Sequence, residues 1–454
     1  MEKIKSNFIQ NRGIWLVVAI PFLTSIAYAL LLPVSIDEAA TFLLFTNTSI
    51  IESVSTYPAP NNHILHSVIT NFTKYLPFLS DLFQLRISSI VVNLATLLVL
   101  YKFIEKHFDK KMALAVVAFT SMLFMTIYYS YMSRGYALVN LFFIINLLCV
   151  FNLIKGENTI KNWSVFCISS VLGFYTMPSF LYPFLTLNFF LFLFQNKSIW
   201  KQVVANAIIL LIVVILYVPI VYHEGLDALI NNPFVKPIGF LTTIKSLPKF
   251  LLLTIQEITG ISWFLIFGLL LIVVYKIRGV GDKITKRFAI VFIAAPIVLL
   301  GIHCVIPYPR VFCYYSFVMV ILICVAFSNQ INKLNYKILL PFLLLMQGAL
   351  LLNFERKIYD YENKDAAINM TCDTIIKKII GNKKYLFDES LLYYNLKFEL
   401  ITKGYKEYEI KEVTVNLDAD TVSNFDYIII KKERNKTKFK KPFYVTKYYS
   451  IYKN

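Results

Sequence analysis

The chain has 454 residues, of which 57% are hydrophobic and 16% charged, with a formal net charge of +18 and a mean hydropathy of +0.63. That balance excludes an ordinary soluble globular protein and points to a polytopic membrane protein. The basic residues form no single stripe for a phosphate backbone; they sit in alternate loops and in the tail after residue 353, which argues against nucleic acid as a partner.

Runs apolar enough to cross about 30 Å of hydrocarbon recur up to residue 353. They read as about eleven transmembrane helices: 13–32, 87–103, 112–131, 137–153, 163–177, 179–194, 203–222, 250–275, 288–306, 312–327 and 338–352. Helices are required because no water satisfies backbone groups at that depth, and the runs lack the alternation of a membrane barrel. The first run has no small-x-small cleavage site and reads as a retained span. The six cysteines form no disulfide framework and no paired metal-binding spacing.

Lys3, Lys5 and Arg12 precede the first run, and Lys106, Lys110 and Lys111 follow the second. Lys155 and Lys161, then Lys197 and Lys201, then Lys276 to Arg287, then Lys333 and Lys337 continue the pattern in every second loop. The N-terminus and those loops are therefore expected on the cytoplasmic side. Residues 31–64 contain no Lys or Arg and read as external. Two external loops are long: 33–86, with amphipathic pieces at 39–55 and 63–79, and 223–249, with Pro233, Pro237 and Pro248.

After Asn353 the composition turns polar and charged. Strand-like runs at 384–387, 408–415, 427–430 and 444–452 alternate with expected helices at 366–380 and 391–403. The basic run 431–441 reads as a solvated turn. The expected architecture is an all-α polytopic membrane bundle over 1–353, followed by a small extracytoplasmic α/β or α+β domain over 354–454.

Chemistry-bearing residues gather in the external segments. Asp37-Glu38 can supply a carboxylate general base at the membrane surface, or Ser35 or Asp37 can cap a helix starting there. Arg134 in Ser133-Arg134-Gly135-Tyr136 can grip a phosphate through a bidentate fork or snorkel at the interface. Arg310 in Pro307-Tyr308-Pro309-Arg310 lies on the same side, with Tyr308, Tyr314 and Tyr315 suiting an aromatic belt. Asn61, Asn62 and His63 can read sugar hydroxyls, or Asn62 can cap the next helix. His63 and His66, three residues apart, permit but do not establish a divalent metal site. Glu257 stands in an apolar run and has to be paired or protonated.

Taken together, the DE pair after the first span, the PNNH loop, LRISSI at 85–90, SRGYAL at 133–138, GFYTMPSF at 173–180 and PYPR at 307–310 resemble the GT-C membrane glycosyltransferases. The branch they resemble contains bacterial relatives of protein O-mannosyltransferases and lipid A aminoarabinose transferases, and the likeness covers residues 10–330. The resemblance implies a polyprenyl-phosphate-linked sugar donor and transfer outside a bacterial inner membrane, to a glycan, lipid or protein. By the same likeness Asp37 is the catalytic aspartate with Glu38 beside it, Arg134 and Tyr136 match an arginine–tyrosine motif, and Arg310 serves the lipid phosphate. Two departures bear on metal use and substrate contacts: many relatives carry an acidic residue and His-Pro-Pro where this chain has Tyr57-Pro58-Ala59-Pro60-Asn61-Asn62-His63, and Met177-Pro178 stands where relatives often have histidine. No cofactor is implied with certainty. A lipid-linked glycan flippase or transporter, and a polysaccharide polymerase or ligase, are the competing readings.

Overall fold

The computed structural model describes residues 2–58, 60–194, 199–230, 236–279, 282–379, 384–387, 390–405, 409–412, 425–432, 442–446 and 449–453. Ala59, Lys197, Pro233, residue 380, half of the run 408–415 and most of the run 431–441 lie outside the described residues.

From the N-terminus, α1 (Glu2–Leu31) is followed by α2 (Ile36–Thr41), a π-helical turn (Phe42–Thr46), α3 (Ile50–Ser55) and α4 (Ile64–Thr73). Next come α5 (Asp81–His107), α6 (Lys110–Ser121), α7 (Phe124–Tyr131), α8 (Tyr136–Ile154) and α9 (Ile160–Thr176). A 3-10 turn (Pro178–Phe180) leads into α10 (Leu181–Phe192), α11 (Ile199–Glu224), α12 (Asp227–Ile230), α13 (Phe240–Thr259), α14 (Trp263–Arg278) and α15 (Lys283–His303). After a second 3-10 turn (Pro309–Phe312) stand α16 (Tyr315–Ala326), α17 (Ser328–Lys333) and α18 (Tyr336–Tyr361).

Among the described residues six helices are long and apolar enough to cross a membrane, or eight if the bent pairs α6–α7 and α13–α14 each count as one span. Every expected run falls on a helix or a bent pair, but length and apolarity do not by themselves reach eleven. The centre of the bundle is α8, with 78% of its apolar window buried in protein, whereas α11 buries only 17% and turns outward.

Two expected continuous helices are broken, and the breaks meet. The run 112–131 bends by 72° between α6 and α7, and α13 and α14 meet at 96°. Gly260 ends α13 in the left-handed region at φ 69°, a conformation that glycine adopts without penalty. A Cβ on Gly260 would come within 2.8 Å of Phe124 Cβ. The Gly260 carbonyl accepts from Asn353 Nδ2 at 3.0 Å, which answers one acceptor that the break sets free. The expected loop 223–249 is also shorter, because α13 begins at Phe240 and carries Pro248 inside it. Its Thr243, Leu247, Phe250, Thr254 and Ile258 are buried at helical spacing, which docks one face on the bundle.

Buried prolines free carbonyls in two helices, and a side chain from another helix answers each. Pro21 has no N–H to give Val17, and Gln347 Nε2 of α18 donates to the Val17 carbonyl at 3.0 Å. Pro296 leaves the Phe292 carbonyl free in the same way, and Tyr315 Oη donates to it at 2.7 Å. Tyr315 is therefore a strut between helices and no part of an aromatic belt. Tyr314 is buried against Phe143; of the three only Tyr308 is largely exposed.

The compositional change at Asn353 falls inside α18, which runs on to Tyr361. Beyond it, α19 (Asn363–Ile379), β1 (Lys384–Phe387), α20 (Ser390–Thr402), β2 (Glu409–Glu412), β3 (Tyr427–Lys431), β4 (Tyr444–Val445) and β5 (Tyr449–Lys453) form an α/β domain. The sheet order is β2-β1-β3-β5-β4. β1 runs parallel to β2 and β3, while β5 is antiparallel to β3 and β4. The run 444–452 is thus two strands folded on each other. Tyr385, Phe387, Ile429 and Ile451 pack on one side with residues of α19 and α20, and Leu386, Ile428 and Ile430 form a separate cluster, as strand alternation requires.

This domain grips the start of the first long loop. Asn369 Nδ2 of α19 donates to the Val34 carbonyl at 2.8 Å, and Phe398 of α20 meets Phe42 edge-on, centroids 5.0 Å apart. Domain and Asp37 therefore lie at the same end of the bundle.

Candidate active site

The helix α2 is held by its capping chemistry. Ser35 caps it, and its hydroxyl accepts from the Glu38 N–H at 3.2 Å. Glu38 Oε2 in return accepts from the Ser35 N–H at 3.1 Å, completing a capping box. Asp37, the residue between, keeps its carboxylate out of the cap; its side chain is 39% exposed.

Glu38 has no exposed surface and is paired with Arg86 of α5, also fully buried, at 2.6 Å. Arg86 uses all five of its N–H donors. Two go to Glu38, and the others to the carbonyls of Ala29, Leu32 and Pro33 at 2.8–3.0 Å. One guanidinium thus caps the end of α1 and orients α2. Burial alone would push the Glu38 carboxyl up, but the charge and hydrogen bonds of Arg86, with the N–H groups of Ser133 and Ser35, hold it below its ordinary value.

The 133–136 segment stitches the first loop to the bundle. The Ser133 N–H donates to Glu38 Oε1 at 2.8 Å, and Ser133 Oγ bonds His66 Nε2 at 3.0 Å. The Gly135 N–H donates to His63 Nδ1 at 2.8 Å. A Cβ at Gly135 would press on Thr176 and His63 at 2.7 and 2.8 Å, so this approach admits only glycine. Arg134 is 3% exposed. Its Nη1 donates to Thr41 Oγ1 at 2.8 Å, to the Asn61 carbonyl at 3.2 Å and to the Asp37 carbonyl at 3.4 Å. Tyr136 opens α8, with Tyr129 4.1 Å away on one side and His63 edge-on at 5.1 Å.

Arg310 reaches the same carboxylate from the turn between α15 and α16. Its Nη1 is 3.3 Å from Asp37 Oδ2, and Arg134 Nη2 is 3.9 Å from that oxygen. Burial by itself would raise the Asp37 carboxyl, yet the two guanidinium groups hold it below the usual carboxylate range. One carboxylate and two arginines, from residues 37, 134 and 310, meet in a half-open site that can receive an anion and remove a proton beside it.

No family model matches the chain, and no curated protein sequence does either. Among solved structures it is similar to ArnT from Cupriavidus metallidurans in the apo state, with a TM-score of 0.63 and 12% identity, covering 96% of this chain and 97% of that one. ArnT from the same organism bound to undecaprenyl phosphate gives a TM-score of 0.62 at 12% identity over the same shares. The chain therefore has an ArnT-like fold. Fold similarity at this identity leaves function to the residues themselves.

Within this fold the expected residues separate into two sets. Asp37, Arg134 and Arg310 converge, with Tyr136 against them. Glu38 faces inward onto Arg86, so its geometry is that of a positioning residue. Asn62 is 1% exposed: its amide donates to the Ser53 and Thr56 carbonyls, each at 2.8 Å, and accepts from Ser67 Oγ at 2.8 Å. It neither caps α4, where the N-cap is His63 without a side-chain bond, nor has an edge free for a sugar. Asn61 contributes its carbonyl to Arg134. His63 is buried, and burial first, then the charges of Arg134, His66 and Arg310, keeps it neutral; His66 is pushed down to about 3, chiefly by burial.

For a metal, the described residues contain no group of three or more His, Cys, Asp or Glu side chains that could hold one. Arg134 stands 3.4 Å from His63 Nε2 and 3.9 Å from Asp37, so a divalent cation held by His63 would face a guanidinium. These residues do not fit a metal. Sequence reasoning passed over Arg86, whose signal was a lone arginine opening an apolar run just after a loop stretch (31–64) without basic residues. It also passed over Thr41, one turn beyond Asp37, which donates to the Asp37 carbonyl at 2.7 Å while accepting from Arg134.

Proposed function

We propose that the protein is a membrane glycosyltransferase that takes a sugar from a polyprenyl-phosphate-linked donor and passes it to an acceptor hydroxyl or amine. The observation that carries this reading is the meeting of a half-exposed carboxylate with two arginines in a fold shared with ArnT, which binds undecaprenyl phosphate in one of its structures. In the step we envisage, Asp37 takes the proton from the acceptor as its oxygen or nitrogen bonds to the anomeric carbon. The bond from that carbon to the donor phosphate oxygen breaks, and its electron pair leaves with the polyprenyl phosphate. Arg134 and Arg310 are placed to stabilise the charge that grows on that leaving group, where fixed cations help most. Glu38 and Arg86 hold the helix that carries Asp37, and Tyr136 walls the site beside Arg134.

The docking of α19 and α20 on the first loop supports one side of the membrane for the C-terminal domain and the site. With the N-terminus cytoplasmic, as the basic loops argue, that side is extracytoplasmic in a bacterial inner membrane. The acceptor, whether glycan, lipid or protein, is left to experiment.

The test is transfer by purified protein in nanodiscs, given synthetic polyprenyl-phosphate sugars in one arm and pyrophosphate-linked glycans in the other. Transfer from the monophosphate donor, lost in Asp37→Asn with folding retained, is the expected result. Full activity of that variant refutes the base assignment; use of the pyrophosphate donor alone favours a polymerase or ligase.

A further inference from the structure

Resting on that reading, we propose that the donor phosphate draws Arg310 away from Asp37, so the base is released only when the leaving group is in place. The two arginines beside Asp37 are not equivalent. Arg134 is buried and tied to Thr41 Oγ1 and the carbonyl of Asn61, so it cannot leave without stranding both. Arg310 is 29% exposed, and Asp37 is the one carboxylate within ion-pair distance of it among the described residues. Its guanidinium lies over the ring of Tyr308, 4.7 Å from the centroid, and Tyr308 is itself 53% exposed. An exposed aromatic face is a surface along which a planar cation can slide.

The donor's phosphodiester carries one negative charge, like the carboxylate, but its two free oxygens can engage the Arg310 fork bidentately where half-solvated Asp37 gives it a single contact at 3.3 Å, so the exchange is favourable when donor arrives. Before it arrives, Asp37 between two guanidinium groups is a weak base, as its lowered proton affinity indicates. Afterwards it has lost one cation and gained an anionic neighbour, both of which raise its basicity. The other titratable groups near Asp37 are Tyr129 of α7, Tyr136 of α8, Tyr361 of α18 and Asp365 of α19, with Glu38 on its own helix locked to Arg86. Glu257 of α13 is close enough to Arg310 to feel its charge. Asp365 is pushed up to about 6 by burial, Asp37 and Glu38, and has to be separated from Asp37 in any titration. The gate has a consequence for function: without donor, no acceptor or water is activated.

The exchange is tested with the full chain in nanodiscs and undecaprenyl phosphate as the probe. Calorimetry at pH 5 in two buffers of different ionisation enthalpy gives the protons taken up per lipid bound. With Asp365→Asn in both proteins, so that no second carboxyl responds to the Asp37 charge, the protein that keeps Asp37 is expected to take up more than its Asp37→Asn counterpart. In an Arg310→Gln background the difference is expected to shrink, because Asp37 has already lost that cation and only the charge of the bound phosphate is left to raise its basicity. In wild-type turnover, the acidic limb of kcat is expected to lie about one pH unit or more above that of kcat/KM, a split that a merely structural Arg310 would not produce. Binding with equal proton uptake, or coincident limbs, overturns the exchange while the donor reading stands. Failure of wild type to bind undecaprenyl phosphate removes the donor reading and the exchange with it.

Discussion

Replacing Arg86 by methionine tests how the helix that carries Asp37 is held. The methionine keeps an unbranched apolar stem but removes five hydrogen bonds at once. Glu38 then keeps only the N–H groups of Ser35 and Ser133, and the carbonyls of Ala29, Leu32 and Pro33 lose the donor that Arg86 gave them. Stranding a buried charge costs ~3–5 kcal/mol, and each unanswered carbonyl adds ~1–3 kcal/mol. The sum approaches the ~5–15 kcal/mol that holds a typical fold together. Glu38→Gln is milder, because glutamine keeps an acceptor oxygen and Arg86 keeps its three carbonyls. The double variant Arg86→Met with Glu38→Leu removes the lone charge and recovers part of the loss, as replacing a buried pair by apolar groups does elsewhere. Thermal unfolding of the purified proteins is expected to rank Arg86→Met least stable, the double variant next and Glu38→Gln nearest to wild type. A Glu38→Gln variant as unstable as Arg86→Met, or a double variant with no recovery, refutes this account.

Two further tests probe the joints of the fold. Glu362, buried where α18 meets α19, has its carboxyl raised from 4.5 to about 8 by burial, Glu38 and Asp365. The folded state therefore keeps a proton that the unfolded chain releases, and stability falls as pH rises from 4.5 to about 8. Glu362→Gln is expected to unfold at a higher temperature than wild type at pH 8 and at the same temperature at pH 4; a gap independent of pH would contradict the assignment. Gln347→Leu, which leaves the Val17 carbonyl unanswered, is expected to cost ~1–3 kcal/mol. In a Pro21→Ala background, where the restored N–H can serve that carbonyl, the same substitution should cost clearly less, and an unchanged cost in chemical denaturation would show that the proline is not the cause.

The apolar runs by themselves determined that the chain is a helical membrane bundle, because a backbone in hydrocarbon has few ways to satisfy itself. The shift after Asn353 likewise marked an α/β part, although the helix crossing that point hid where it begins. The short motifs placed Asp37, Arg134 and Arg310 in separate segments expected on one side. Only the tertiary structure decided that these three meet at one carboxylate, and that neighbouring residues of the same polar types turn inward. Glu38 and Asn62 read as well as candidates as Asp37 does, since a sequence gives residue type but not which partner lies opposite. Glu38 is claimed by Arg86, 48 residues away, and Asn62 by backbone carbonyls of its own loop. The role of a polar side chain near hydrocarbon is set by whichever donor or acceptor reaches it first, and that pairing exists only once the helices have packed.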